Sequence, residues 1–383
     1  MGFLNPDRTL LPEHSLVIGD QALAGGSGGT FAHIYPGTGE ATREIRLANA
    51  SDVDAAVAAA HAAHPAWRAM PGDKRRDLMF RLAALIEEKA AEMTPLLTIE
   101  NGSIILAGPH MSADAAQKFR YFGGWADKIE GRTISTWGGP AHDYVSYEPY
   151  GTVGIIVPWN GPLFAATMVM APALAAGNCV VLKAPENAPF SLMKLVEIIR
   201  LAGFPPGVVN LVTGGPDVGA AVVSHPGIGK IEVIGSGGTA RRILASAAES
   251  LKPVGLELGG KSAVVVFADA DLQAAAKRGL SGAVSANGQG CVNGTRLLVE
   301  RSIYEPYVQM LSAMAAHIKV GDPLAMDSIM GPVISEQALS RIQGMVDAGV
   351  SEGGRVVCGG KRPDGGPPGR VLPALPGLAA LGP

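Results

Sequence analysis

The sequence is poor in cysteine and has no excess of charge of either sign, and each shortage excludes a class of protein. Its 383 residues include three cysteines, Cys179, Cys291 and Cys358, with no CxxC pair, so neither a disulfide scaffold nor a structural metal site is expected. Lys and Arg number 31 against 34 Asp and Glu, without a block of like charge, which excludes a dedicated nucleic-acid-binding surface. The cysteine usage fits a reducing, cytoplasmic compartment.

Long hydrophobic runs are also missing. The first residues lack the apolar core of a secretion signal. An uncharged stretch lies between Glu148 and Lys183, but prolines and asparagines interrupt it. Its longest helix-like piece, residues 163–176, is shorter than the roughly 20 residues that a bilayer crossing requires. We therefore expect buried core here and no membrane partner.

Apolar, β-branched runs alternate with longer segments in the second half of the chain. Strands that are apolar at nearly every residue, joined by segments long enough for a helix, predict an α/β fold with a Rossmann-like parallel sheet covered on both faces. Ligands bind such sheets at the carboxyl ends of the strands. The predicted strands are residues 152–157, 178–183, 208–212, 230–234, 253–257 and 263–267.

The first half of the chain predicts helices and a hairpin. Ser51 and Asp54 fit a capping box before an alanine-rich helix that reaches about Arg68. Residues 131–149 alternate in polarity and predict a protruding β-hairpin.

A glycine-rich loop follows the predicted strand 230–234. Its residues 235–240, GSGGTA, fit G-x-G-x-x-A, a pattern that presents backbone N–H groups at a helix N-terminus to a pyrophosphate. A strand-to-helix turn that needs flexible glycines explains the pattern equally well. A standard dinucleotide-binding fold would assign the acidic residue about 20 positions later, Glu257, to the ribose hydroxyls.

Glu257 also has a second interpretation. Leu256 and Leu258 flank it at the end of an apolar strand, and apolar surroundings would raise its pKa toward that of a general base. A solvent-exposed Glu257, or one paired with Lys261, is the structural alternative.

Cys291 differs from the other two cysteines in its neighbours. It lies in a loop of Gly, Asn and Gln, residues 288–296, as a thiol that must meet a substrate would. Cys179 and Cys358 lie in apolar runs and are expected to be small hydrophobic residues. The histidines offer no partner in a comparable motif, so a cysteine protease is not indicated.

Together these motifs resemble the aldehyde dehydrogenase superfamily. The resemblance runs from about residue 16 to about residue 360, and it depends on four motifs in the order and approximate spacing of the family. These are PWN with Asn160, KAPE with Lys183 and Glu186, LELGGK with Glu257, and GQGC with Cys291.

The resemblance implies a role for each catalytic residue. Cys291 would attack the aldehyde carbon, and the oxyanion formed would be stabilised by the Asn160 side chain and the backbone N–H of Cys291. Glu257 would activate the water that hydrolyses the resulting thioester. The substrate would be a small aldehyde and the product a carboxylate.

The resemblance also implies a cofactor site. Lys183 and Glu186 would bind the adenosine ribose hydroxyls, and the carboxylate would repel a 2′-phosphate, so NAD is favoured over NADP. Pro158 and Trp159 would shape the nicotinamide end, and Ser236 would approach the pyrophosphate. The remaining residues of the expected cofactor site are Val157, Gly215, Gly235 and Gly259.

Family boundaries divide the chain into expected domains. The NAD-binding domain would comprise residues 1–130 and 150–258, and the hairpin 131–149 would serve oligomerisation. A catalytic α/β domain would occupy residues 259–360 and would be incomplete.

The last residues, 361–383, depart from the family. They are rich in Pro and Gly and aperiodic, where family members continue with an E-x-F-G-P segment, further catalytic-domain strands and a strand of the intersubunit sheet. A frameshift or premature stop near residue 361 is the simplest hypothesis. It predicts an incomplete sheet with exposed apolar faces, and it puts the homo-oligomer that the family implies in doubt.

Three functions therefore stay open. The first is an NAD-dependent aldehyde dehydrogenase, and the second is an impaired or inactive remnant that only binds NAD. The third, a CoA-acylating relative that releases acyl-CoA, is disfavoured because Glu257 is available for hydrolysis.

Overall fold

A computed structural model of the chain describes residues 4–360 and 379–380. The first described part contains three small hairpins and four α-helices ahead of the main parallel strands. Its elements are β1 (Leu16–Ile18), β2 (Gln21–Leu23), β3 (Thr30–Ile34), β4 (Ala41–Arg46), α1 (Ala50–Ala69), α2 (Gly72–Glu88), α3 (Ala90–Asn101), α4 (Gly108–Gly123), β5 (Arg132–Ile134) and β6 (Asp143–Val145).

Strands and helices then alternate strictly, as predicted. These elements are β7 (Thr152–Ile156), α5 (Pro162–Ala175), β8 (Cys179–Pro185), α6 (Phe190–Leu201), β9 (Val209–Gly214), α7 (Pro216–Ser224), β10 (Lys230–Gly235), α8 (Gly237–Ala248) and β11 (Val254–Leu258). The last part contains β12 (Ala263–Val266), α9 (Leu272–Val284), β13 (Arg296–Val299), α10 (Tyr304–Ala315), α11 (Glu336–Ser351), β14 (Arg355–Val356) and β15 (Ala379–Ala380).

The main sheet has seven strands in the order β11-β10-β7-β8-β9-β1-β2. The five strands from β11 to β9 are parallel, which confirms the predicted α/β architecture. The sheet is mixed, however, because β1 pairs antiparallel with both β9 and β2. At three residues each, β1 and β2 are too short to carry a periodic signal.

The central strands are mostly apolar because both faces of the sheet are covered. Every residue of β8 and β9 is buried. Gly154 in β7 lets α7 approach closely, since a Cβ there would lie 2.8 Å from Cγ1 of Val222. The core therefore requires strands without polar faces, as the sequence predicts.

Helix α1 is capped two residues earlier than the sequence pattern suggests. The Asn49 side chain accepts hydrogen bonds from the backbone N–H groups of Ser51 and Asp52, and the Asp52 carboxylate accepts from the Asn49 N–H. The expected Ser51–Asp54 capping box is therefore wrong. Asn49 serves because its side-chain oxygen reaches the same orphan donors as a serine would.

The second α/β unit contains a sheet of two parallel strands, β12 and β13. Helices α9 and α10 pack on one face, around Val266 and Tyr307. The other face leaves apolar side chains in solvent: Val265, Phe267 and Leu298 are 54%, 62% and 53% exposed. A groove of about 630 Å³ runs along this unit. That this unit is an incomplete domain stays a prediction.

The predicted hairpin is formed by β5 and β6. Trp137 at its tip is 100% exposed, and Tyr144 is 66% exposed. Its role in oligomerisation stays a prediction. The aperiodic tail falls almost wholly outside the described residues. Among residues 4–360, no helix combines the length and apolarity that a bilayer crossing demands.

Candidate active site

The strand order creates a crevice between β7 and β10. The chain runs from β7 outward to β8 and β9, then returns to place β10 on the other side of β7. Helices that connect strands on the two sides leave in opposite directions at such a point, and ligands bind there at the carboxyl ends of the strands. Val157, Pro158 and Trp159 directly follow β7, and Gly235 and Ser236 close β10. The fold therefore places five predicted cofactor residues at one crevice.

The start of α8 is open to a ligand. Ser236 is the N-cap, and its Oγ accepts a hydrogen bond from the Thr239 backbone N–H at 3.3 Å. A Cβ added at Gly235 or Gly237 would meet no atom closer than 3.9 Å, so the backbone there can be approached closely. Exposed N–H groups at a helix N-terminus suit a pyrophosphate.

Lys183 and Glu186 meet at the end of β8. The Nζ of Lys183 lies 3.7 Å from Oε2 of Glu186. Burial lowers the pKa of the Lys183 ammonium, and the Glu186 carboxylate partly opposes that shift. A Cβ added at Gly215, the residue after β9, would lie 3.7 Å from Oε1 of Glu186. These three predicted residues thus form one corner, with an ammonium donor and a carboxylate acceptor that fit ribose hydroxyls.

Cys291 is exposed in the loop that follows α9. A Cβ built on Gly259 would lie 3.5 Å from the Cβ of Cys291, and the Gly260 N–H donates to the Cys291 carbonyl at 3.4 Å. The end of β11 and the cysteine loop are therefore adjacent. Arg296 supports the same region, because its Nε donates to the Lys261 carbonyl at 2.6 Å.

Glu257 lies at the end of β11, two residues before Gly259, and its side chain is exposed. The expected apolar surroundings are therefore wrong. The reason is the position of β11 at the edge of the sheet, where Leu258 is itself 44% exposed and cannot enclose a neighbour. A carboxylate in this position is open to water.

Asn160 connects the cofactor crevice to the cysteine loop. Its Nδ2 donates to the backbone carbonyl of Gln289 at 2.7 Å, two residues before Cys291. Trp159, the preceding residue, packs against Val333 and Ile334 of the second unit. The predicted oxyanion donor thus contacts the loop of the other unit that carries the predicted nucleophile.

Gln289 is a site residue that the sequence pattern shows but does not interpret. Its side-chain Oε1 accepts from the Ile334 N–H at 3.2 Å, while its backbone oxygen accepts from Asn160. The GQGC motif contains Gln289, but a single sequence gives no sign that its backbone is the acceptor. In the same loop the Asn293 side chain donates to the Ser285 carbonyl at 2.9 Å.

Comparison with known proteins identifies the family of this chain. The profile of the aldehyde dehydrogenase family matches residues 23–374. The chain belongs to the aldehyde dehydrogenase family. The resemblance drawn from the four motifs is thereby confirmed.

Relatives in the aldehyde dehydrogenase family are longer than this chain. A (Z)-2-((N-methylformamido)methylene)-5-hydroxybutyrolactone dehydrogenase of Acinetobacter baylyi is 39% identical over 338 residues, which is 88% of this chain and 69% of that protein.

Solved structures of the family superpose closely. The NAD⁺ complex of the aldehyde dehydrogenase from Bacillus cereus is 35% identical with a TM-score of 0.92, covering 98% of this chain and 77% of that chain. An NADP-dependent enzyme of E. coli is 31% identical with a TM-score of 0.91, covering 96% of this chain and 76% of that chain. Both cofactors are therefore represented among close structural relatives.

Proposed function

We propose that the chain oxidises an aldehyde to a carboxylic acid with NAD, through a thioester on Cys291. The observation that carries this proposal is the contact between Asn160 and the Gln289 carbonyl, because it places a side-chain amide donor beside the loop of an exposed thiol. The aldehyde substrate follows from the family. The cysteine usage supports a cytoplasmic location as part of the same proposal.

Cys291 is the nucleophile. Its sulfur attacks the aldehyde carbon and forms a thiohemiacetal, whose oxygen develops negative charge. The Asn160 amide has two hydrogens, and one is used by Gln289. The second N–H and the backbone N–H of Cys291 stabilise the oxyanion.

When bound, NAD would supply the hydride acceptor that oxidation of the thiohemiacetal to a thioester requires. This chain's residues hold that cofactor at the β7–β10 crevice. Lys183 and Glu186 bind the adenosine ribose hydroxyls, and the open start of α8 at Ser236 binds the pyrophosphate. The Glu186 carboxylate repels a 2′-phosphate, which supports NAD over NADP.

Glu257 is the general base for hydrolysis. It removes a proton from the water that attacks the thioester carbon, and the Cys291 thiolate leaves. Two observations support this role: Glu257 is exposed to water, and the hydrogen bond from the Gly260 N–H to the Cys291 carbonyl places the end of β11 beside the cysteine loop.

A second candidate function is NAD binding without turnover. The exposed apolar face of the β12–β13 sheet favours it, because the unit that carries the cysteine loop leaves apolar side chains of its sheet open to solvent. The cofactor crevice, by contrast, belongs to the seven-stranded sheet.

NADH formation by the purified chain with a panel of aldehydes distinguishes the two candidates. The Cys291→Ala variant must lose NADH formation and keep NAD binding, while the Cys358→Ala variant serves as the matched control and must keep both. If the parent chain binds NAD but forms no NADH with any aldehyde of the panel, the second candidate is established instead. Addition of CoA tests for acyl-CoA as the product, and the mass of the particle in solution tests for a homo-oligomer.

A further inference from the structure

We propose that Asn101 and Asn287 are positioning residues that tie the Asn160 loop and the cysteine loop to one anchor, the corner formed by Asn101 and Gly102 at the end of α3. Asn160 and Cys291 belong to the function proposed above, and this inference rests on it. The hydrogen bonds of the two asparagine side chains go to backbone groups and not to the reacting side chains. They act by fixing where those groups lie.

Asn101 holds the loop that carries Asn160. The side chain is buried, and its Nδ2 donates to the backbone carbonyls of Trp159 and Asn160 at 3.1 and 3.4 Å. Its Oδ1 accepts from the Ser103 N–H at 3.0 Å, so the amide orientation is fixed from both ends. Helix α3 stops here because Gly102 takes a left-handed conformation with φ of 78°.

Asn287 holds the loop that carries Cys291, four residues ahead of the cysteine. The side chain is buried, and its Nδ2 donates to the carbonyls of Gly102 and Pro332 at 2.7 and 3.0 Å. Its Oδ1 accepts from the Gly331 N–H at 2.8 Å. Both N–H groups and the oxygen of this amide are therefore hydrogen-bonded to backbone groups of two other segments.

The backbone around Asn287 is one that the chain adopts only under constraint. Ala286 and Asn287 have φ values of 50° and 54°, in the left-handed region that side chains rarely occupy. Two successive residues in this conformation persist only where surrounding contacts over-determine them. The three hydrogen bonds of the Asn287 amide supply these contacts and hold the backbone in this conformation.

The segments around Gly102 and Gly331 approach closely at this anchor because both residues are glycine. A Cβ on Gly331 would lie 2.4 Å from the Gly102 carbonyl oxygen, and a Cβ on Gly102 would lie 2.8 Å from Cγ of Pro332. The segments can meet at hydrogen-bonding distance only without these side chains.

The contacts close a ring. Asn101 holds Asn160, the Asn160 amide holds the Gln289 carbonyl, Gln289 is two residues beyond Asn287, and Asn287 holds Gly102, the neighbour of Asn101. Loss of either asparagine should therefore have the same effect: the position of the Asn160 amide relative to Cys291 becomes less well fixed. A misplacement of about 1 Å between reacting groups costs on the order of 10²-fold in rate.

The chain contains a matched control for a merely structural role. Asn210 in β9 is fully buried, its Nδ2 donates to the carbonyls of Gly207 and Val180 at 2.8 and 3.4 Å, and its Oδ1 accepts from the Gly19 N–H at 2.9 Å. Asn210→Asp therefore removes the same donor, buries the same carboxyl group and leaves the same acceptor, far from the ring.

The experiment compares Asn101→Asp, Asn287→Asp and Asn210→Asp. Each variant is measured for kcat, for the KM of NAD, for the alkylation rate of Cys291 by iodoacetamide, and for hydrogen exchange in residues 157–162 and 286–294. We expect Asn101→Asp and Asn287→Asp each to lower kcat about 10²-fold with KM changed less than about threefold. Either one should also speed exchange in both loops, whereas Asn210→Asp should leave kcat and both loops unchanged even if its Tm falls.

Other outcomes overturn the inference. Exchange that rises only in residues 157–162 for Asn101→Asp and only in residues 286–294 for Asn287→Asp would show two separate contacts and no common anchor. An equal loss of kcat in Asn210→Asp would show a general structural effect. Should Asn287→Asp fail to fold, Asn287→Gly replaces it, because glycine accepts the left-handed backbone and lacks only the amide.

Failure of the proposed function would look different. A parent chain without turnover removes the kcat measurement, but alkylation of Cys291 and hydrogen exchange still report whether each asparagine controls both loops.

Discussion

The amide nitrogen Nδ2 of Asn160 lies 2.7 Å from the backbone oxygen of Gln289, although 129 positions separate the two residues. This hydrogen bond joins the loop after β7 in the main sheet to the loop after α9 in the second unit. It places the amide of Asn160, the proposed oxyanion donor, against the loop that carries Cys291, and the first prediction rests on this contact.

Asn160→Ala should lower kcat by about 10²- to 10³-fold, because one oxyanion donor is lost while the thiol remains. The KM of NAD should change little, since Lys183, Glu186 and Ser236 are untouched. Steady-state kinetics check the prediction, with the Tm and the alkylation rate of Cys291 as evidence that fold and thiol are intact. A variant with normal kcat would remove Asn160 from the mechanism.

Glu186→Gln should weaken discrimination against NADP. The substitution removes the charge that repels a 2′-phosphate and leaves the buried Lys183 ammonium without its partner carboxylate 3.7 Å away. We expect the ratio of the Kd for NADP to that for NAD to fall about tenfold, measured by calorimetric titration. Glu197→Gln on α6, whose carboxylate pairs with Lys194 and His14, is the control and should leave the ratio unchanged.

Glu100→Gln should change how stability depends on pH. The Glu100 side chain is fully buried, its oxygens accept from the Ser191 N–H and Oγ at 2.9 and 2.5 Å, and burial raises its pKa to about 8. The unfolded chain ionises this group from about pH 4.5, whereas the folded chain keeps it protonated to about pH 8. The group therefore lowers the free energy of unfolding as pH rises from about 4.5 to about 8, by on the order of a few kcal/mol, and not beyond.

Denaturant unfolding from pH 4.5 to pH 9 measures this effect as the difference between the parent chain and Glu100→Gln. Burial lowers the pKa of the neighbouring His33 to about 4, but His33 contributes to both proteins and cancels in the difference. Glu92→Gln is the control, because the hydrogen bond from Lys194 lowers the pKa of Glu92 and any stability it adds is lost only as pH falls. A pH-independent difference between the parent chain and Glu100→Gln would contradict the prediction.

Leu298→Ser should reduce the binding of the dye ANS without loss of stability. Leu298 is 53% exposed on the open apolar face of the β12–β13 sheet, where dye can bind a continuous groove. A change at such an exposed position should move the free energy of unfolding by no more than about 0.5 kcal/mol. Leu201→Ser is the matched control, since Leu201 is 56% exposed at the end of α6. Equal dye binding by the parent chain and both variants would show that the face is covered in solution.

Most of the main sheet is predictable because strands that are covered on both faces are mostly apolar. Such apolar runs can be recognised in the sequence without knowing their neighbours in the fold. The strand at residues 178–183 is found within two residues of its true end because β8 is buried at every residue. The cap of α1 is missed because Asn, Ser and Asp occur together at residues 49–54, and a spacing rule cannot tell which oxygen reaches the N–H groups.

Glu257 shows the limit of reasoning from neighbours. Leucines on both sides predict an apolar environment, but the environment of a strand residue depends on which strands lie beside it. Because β11 is the edge strand, Glu257 is exposed.

The sequence by itself determined the α/β architecture, the family, and the residue types at the candidate site, since each depends on local periodicity or on short motifs. Only the tertiary structure decided that Asn160 reaches Gln289, that Asn101 and Asn287 share the corner at Gly102, and that Glu257 faces solvent. The physical reason is that hydrogen bonds to backbone carbonyls leave no pattern in the acceptor's residue type, and burial is a property of the whole packed fold.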